Sequence, residues 1–259
     1  MRMMKKVLGT VTVLALSVSL LAGCGSTAVS PVSSTASTVA ESTTSSVVSE
    51  TTSAAADENA AAAAQLLNDL TGSYQELWPV ILADEYQQTW LDNCTALVGE
   101  ENAEAAFEKL SSMVTGDVYG EDAVEAYANG GGAYFCGFTN SLAILTFDGE
   151  TSTISGTDKD GNVLFSHTYH YIGMEPVRGL YEFESDDADS GEFTYFFLAP
   201  DTSAETYHIE FRYGSDAEAL SQYDTGEYAY WLASGISTDC DQTMIDNCIE
   251  LFCTENLAG

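Results

Sequence analysis

Positive charge is almost missing from this sequence. Seven lysines and arginines stand against 40 aspartates and glutamates, a formal net charge of −33. Three of the seven, Arg2, Lys5 and Lys6, lie at the N-terminus, so the rest of the chain carries only Lys109, Lys159, Arg178 and Arg212. A surface this acidic repels phosphate backbones and anionic lipid, which excludes nucleic acid as a partner, and it concentrates cations nearby. Histidine is scarce as well, with His167, His170 and His208 the whole supply. Long apolar runs are also lacking. Val7 to Leu21 is mostly apolar but falls short of the roughly 18–20 residues that span a bilayer, and no other segment approaches that length. There is no G-x-S-x-G elbow, no H-E-x-x-H and no glycine-rich phosphate loop, so nothing points to catalysis. Nor is there a C-x-x-C pair, which argues against a structural zinc site of cysteine type.

The N-terminus is informative in what it does contain. A basic start, the apolar stretch Val7 to Leu21 and the sequence Leu21-Ala22-Gly23-Cys24 resemble a bacterial lipoprotein signal. Small residues let a peptidase reach the backbone, and the Cys24 thiol takes the lipid. Residues 1–23 are therefore expected to be removed and Cys24 lipidated, anchoring the chain to the outer face of a bacterial cell membrane. An ordinary signal with a chance cysteine, or an uncleaved anchor, are the alternatives. Residues 24–58 follow as a tether. From Gly25 to Ser53 the chain is rich in Ser and Thr, with no aromatic residue and no sustained apolar period. Such a segment cannot bury enough surface to offset the entropy of ordering.

Residues 59–259 are long enough for one domain with a real core. Ala54 to Leu70 reads as a helix, with Leu66, Leu67 and Leu70 at helical spacing, and Ser73 to Trp78 as a second that places Tyr74, Leu77 and Trp78 on one side. Glu101 to Val114 and Glu121 to Ala128 complete a helical part over 59–130. After Gly130-Gly131-Gly132 the period changes. Ala143 to Phe147 runs into Asp148-Gly149, a hairpin signal, and Thr151 to Gly156 continues it. Val163–Phe165, Tyr169–Ile172, Gly179–Phe183, Phe193–Leu198 and Tyr207–Tyr213 read as further short strands. They predict an antiparallel sheet closing to a barrel over 133–235, then a C-terminal helix within 236–259. The fold class is α+β.

With Cys24 consumed by lipid, five cysteines remain, an odd number. Cys240, Cys248 and Cys253 are close enough in sequence for a local disulfide, and Cys94–Cys136 is a long-range option. Tyr223, Tyr228, Tyr230 and Trp231 read as barrel packing rather than a sugar platform. His167 and His170 are three apart on a strand, so they point to opposite faces and cannot chelate as a pair. Asp186, Asp187 and Asp189 crowd one loop without an EF-hand pattern and read as a solvated turn, with weak calcium binding the alternative.

Three stretches resemble the ZinT (YodA) family of exported zinc-binding proteins. Leu70-Thr71-Gly72-Ser73-Tyr74-Gln75-Glu76-Leu77-Trp78-Pro79 is similar to that family's opening segment. Thr146-Phe147-Asp148-Gly149 through Tyr169-His170-Tyr171-Ile172-Gly173 follows its hairpins, and His208-Ile209-Glu210-Phe211-Arg212-Tyr213-Gly214 sits where the family carries H-x-H. The resemblance implies a lipocalin-like (calycin) barrel with added helices and a zinc site in the barrel mouth, built mainly from three histidines. Matched residue by residue, His208 takes the first histidine's place and Glu210 the second's, while the third falls near Ala199, leaving Asp201 as the nearest acid. Glutamate is a legitimate zinc ligand, but the family's set is not inherited one for one. What the resemblance implies is a non-enzymatic lipoprotein that binds a divalent ion, zinc foremost, through His208, Glu210 and Asp201, and hands it to a metal ABC transporter. The alternative is a metal-free barrel that holds a small apolar ligand or a protein partner.

Overall fold

In a computed structural model the backbone is described for residues 47–200 and 208–258, and side chains from residue 58 onward. The signal, Cys24, most of the tether and Asp201 lie outside the described residues. The chain divides into two units at Thr43/Thr44, and the described residues belong to the second.

Eight strands form a closed barrel in which each pairs antiparallel with the next: β1 (Gly72–Glu76), β2 (Ile144–Asp148), β3 (Thr153–Thr157), β4 (Val163–Met174), β5 (Tyr181–Ser185), β6 (Tyr195–Leu198), β7 (His208–Gly214) and β8 (Ala233–Ser237). The barrel closes where β8 returns to β1, with Tyr74 opposite Ser237 and Glu76 opposite Gly235. Closure leaves no unpaired sheet edge. Helix α1 (Val47–Asp69) precedes the barrel. Helices α2 (Leu77–Ile81), α3 (Gln87–Val98), α4 (Ala103–Val114) and α5 (Glu121–Ala128) lie between β1 and β2. Short α6 (Ala217–Leu220) follows β7, and α7 (Gln242–Leu257) follows β8. The α+β barrel class expected from the sequence is what the chain adopts.

Two clusters form the core. The barrel interior holds Phe147, Phe183, Phe196, Phe211, Tyr213 and Trp231, each almost fully buried. Ala63, Leu66 and Leu67 of α1 join it with Leu70 just past the helix end, recurring at i, i+3, i+4 and i+7 so that one stripe covers the barrel. That contact is close. A Cβ on Gly149, in the turn after β2, would stand 2.4 Å from Asn68 Cα, so only glycine lets the turn meet α1. Asp148 Oδ1 holds the same turn, accepting from the Glu150 and Thr151 amides. The second cluster lies outside the barrel, where α2, α3, α4 and α7 pack on one another and on Ile236 of β8. Trp90 donates its indole N–H to Ile81 O at 2.7 Å, joining α3 to α2. Asp241 caps α7 by accepting from Met244 N at 3.0 Å.

Several elements differ from the sequence expectation. Ser73–Glu76 is strand β1, and only Leu77 onward is helical. The edges of β2 and β8 each need a partner, and their pairing overrides the helical spacing of Tyr74 and Leu77. The two expected strands around His167 are one, because Ser166-His167-Thr168 contains no turn former and pairs fully with β3. Helix α1 starts at Val47, earlier than Ala54, since the alanine-rich run extends cooperatively. Helix α3 and strand β8 were not foreseen.

Candidate functional site

His208 and Glu210 sit two apart on β7 and therefore share a face. Which face is settled by their neighbours. Ile209, Phe211 and Tyr213 belong to the barrel interior, and His208 and Glu210 stand opposite Ile236 and Ser234 of β8. Ile236 belongs to the outer cluster. The pair thus points out of the barrel, toward α2 and α7, and not into the barrel mouth that the family resemblance implies. There it lines a small cavity of about 40 Å³ with Trp78, Cys248, Phe252 and Glu255. A space of that size suits an ion or a water, not an organic molecule. Imidazole and carboxylate from β7, and carboxylate and thiol from α7, are the polar groups around it.

The electrostatics are one-sided. Burial pushes the Cys248 thiol up to about 12, and the negative charge of Glu210 adds to that. Cys136, in the same cluster, is likewise pushed up to about 12 by burial, with Glu210 again contributing. At neutral pH both are protonated thiols that pack, and a cation would have to displace a proton to recruit either sulfur. Trp78, 8% exposed, has an indole N–H with no hydrogen-bond partner among the described residues. Among those residues no three His, Cys, Asp or Glu side chains stand together as a ready metal-ligand set.

The other two histidines are bound to acids rather than to each other. His167 Nδ1 lies 2.7 Å from Asp187 Oδ2, and His170 Nδ1 lies 2.7 Å from Asp186 Oδ1. They occupy opposite faces of β4, as their spacing predicts, and clasp the turn after β5 from both sides. Two of that turn's three aspartates are therefore engaged by histidine.

A buried polar cluster accounts for two of the four remaining basic residues. The guanidinium carbons of Arg178 and Arg212 lie 4.3 and 4.4 Å from the Tyr223 ring centroid. Arg212, fully buried, donates to the carbonyls of Leu220, Gln222 and Tyr228. Glu175, also fully buried, accepts from Val177 N, Arg178 N and the Tyr223 hydroxyl. Tyr228 and Trp231 pack in the barrel core, and Tyr230 stacks on Tyr127 at 3.8 Å. The aromatic residues after 220 thus serve packing and the arginine clasp.

All five described cysteines are free thiols. Cys94 neighbours Cys253, not Cys136. Sequence reasoning missed this pair because it requires α3, whose apolar spacing is weak. It also missed Cys248 and Glu255 beside His208, since only the packing of α7 on β7 brings them there.

No family model matches the chain, and no curated protein matches it in sequence. Among solved structures the chain is similar to the Zn(II)-bound ZinT-like domain of Streptococcus pneumoniae AdcA, with a TM-score of 0.45 and 16% identity, covering 71% of this chain and 89% of that one. It is also similar to Zn(II)-bound AdcA from Streptococcus pneumoniae, with a TM-score of 0.43 and 14% identity, over 72% of this chain but only 35% of that chain.

Proposed function

We propose that this chain is a non-enzymatic, exported lipoprotein that captures a divalent cation, zinc foremost, outside the cell. His208 and Glu210 are the ligands from β7, Asp201 supplies a further oxygen, and lipid on Cys24 holds the domain to the membrane. Delivery to a metal ABC transporter is the role this suits. The observation that carries the proposal is that His208 and Glu210 face one ion-sized cavity whose far wall brings Glu255 and Cys248. The ZinT-like segments and the acidic composition support it, because an imidazole and carboxylates in a cation-attracting field are zinc chemistry. Equilibrium titration of the metal-stripped chain with zinc tests it. His208→Ala and Glu210→Gln are each expected to weaken binding at least about tenfold. Binding no tighter than about millimolar, or indifference to both substitutions, overturns it.

A second reading has its own observation. The barrel is filled with rings, but a cleft of about 340 Å³ lies beside it, lined by Trp78, Leu82, Val114, Phe135 and Cys136, with Glu76 at its wall. A small apolar ligand would bind there and not in the barrel. Such a ligand would raise the melting temperature of Glu210→Gln as much as that of the unmodified chain, which zinc would not.

A further inference from the structure

Cys94 and Cys253 are both completely buried, one on α3 and the other on α7, and their thiols are neighbours in one core cluster. The surrounding contacts fix this pairing. Thr89 Oγ1 reaches Asp246 Oδ1 at 3.4 Å, and the Trp90 and Phe252 rings meet edge to face at 6.0 Å. The two helices therefore run side by side in a register that sets residue 89 near 246 and residue 94 against 253. The alternatives do worse. Cys248 and Cys253 are five apart on one helix, so their side chains point roughly 140° apart and cannot be bridged. Cys248 faces the cavity beside His208, and Cys136 lies against Ser234 and Trp78 at the barrel wall.

We propose that Cys94 and Cys253 form a disulfide that staples α7 to α3 when the chain folds in an oxidising compartment. This goes beyond the metal-binding role and does not depend on it. The oxidant is a small or protein disulfide. A thiolate of one cysteine attacks it to give a mixed disulfide and one released thiol, and the second cysteine then displaces the other thiol. Two thiols lose two protons and two electrons, and the oxidant is reduced to two thiols. Both side chains already sit at the same helix–helix contact, so bonding needs the two sulfurs to close to about 2 Å without moving either helix out of its layer. The bridge would enclose roughly 160 residues, including seven of the eight strands, so it constrains the unfolded chain strongly.

The full chain tests this after reduction, denaturation and refolding in reduced and oxidised glutathione, followed by unfolding and alkylation without reductant. Peptide mapping is expected to find the Cys94 and Cys253 peptides joined, lighter by two hydrogens than their sum, with Cys136, Cys240 and Cys248 alkylated. Reductant should then lower the melting temperature by roughly 10 °C, and the double variant Cys94→Ala/Cys253→Ala should not respond to it. Alkylation of both Cys94 and Cys253, or linkage of either to another cysteine, overturns the proposal. The mapping needs no variant, and because it is done on purified chain its outcome is separate from whether the protein is exported.

Discussion

The barrel interior and the helical layer solve the burial problem with different materials. Inside the barrel, rings pack on rings. Phe196 alone lies within 5.8 Å of Phe165, Tyr169 and Tyr213, centroid to centroid. Outside, between α2, α3, α4 and α7, a few rings such as Trp78, Trp90 and Phe252 are set among aliphatic side chains, and the layer is rich in sulfur. Cys94, Cys136, Cys248 and Cys253 are all in that layer, Cys240 packs against it, and none of the described cysteines is in the barrel core. The barrel is thus a closed scaffold whose sequential hairpins need no cross-link. The helical layer comes from segments far apart in sequence, and it holds both the candidate cation cavity and the thiol pair. Chemistry in this molecule is concentrated where two layers meet.

The largest expected effect tests the barrel's side of this contrast. Phe196→Ala removes a ring packed among three others and should cost about 4 kcal/mol, read as a shift in the urea midpoint. A loss below about 1 kcal/mol would mean that the aromatic core is not the barrel's mainstay. Next comes the arginine clasp. Arg212→Met keeps the bulk but leaves the carbonyls of Leu220, Gln222 and Tyr228 without their donor, at a cost of about 3 kcal/mol. The same change at half-buried Arg178 should cost clearly less, by the same denaturation measurement.

Legibility in the sequence follows the same division. Most barrel strands could be read, because apolar alternation and Asp-Gly turns are local signals. β1 could not, since Tyr74, Leu77 and Trp78 fall at helical spacing and only the open edges of β2 and β8 make the segment a strand. β8 is Ala-Ser-Gly-Ile-Ser, too small in its side chains to announce itself, and Gly235 leaves room for Ile209 and Phe138, which approach within 3.4 Å of where a Cβ would sit. His208 and Glu210 could be read as a pair on one face. The outward direction of that face was also written in the chain, through Ile209, Phe211 and Tyr213, but the family resemblance pointed to the barrel mouth. Cys248, Glu255 and the Cys94–Cys253 contact depend on helix packing, which has no local signature.

The helical layer makes a distinct prediction about pH. Cys136, Cys248 and Cys253 are each pushed up to about 12 by burial, against about 9 for an unhindered thiol. The unfolded chain therefore loses these protons first as pH rises. Stability is intact below about pH 9 and falls between 9 and 12, by about 1.4 kcal/mol per pH unit for each thiol. Under reducing conditions Cys248→Ala should flatten the decline by one such increment, with urea midpoints at successive pH values as the readout. An unchanged slope would show that Cys248 is not confined as its surroundings indicate. The smallest effect is at the start of α7. Asp241→Ala removes the cap on Met244 N and should cost about 1 kcal/mol, enough to move the thermal midpoint but not to disturb the barrel.

The clasp around Tyr223 has one more consequence, for the molecule as a polyelectrolyte. Of the four basic residues beyond the N-terminus, Arg212 is wholly enclosed and Arg178 is stacked against Tyr223, so that Lys109 and Lys159 are the two exposed cations. The domain folds by drawing half of its scarce positive charge inward. Its exterior then behaves like a bead of cation-exchange resin, holding a mobile cloud of counterions whose composition follows the medium. Divalent ions displace monovalent ones in such a cloud. Every multivalent cation near the domain is thereby enriched before any side chain ligates it, and added monovalent salt both relieves the self-repulsion and dilutes that enrichment.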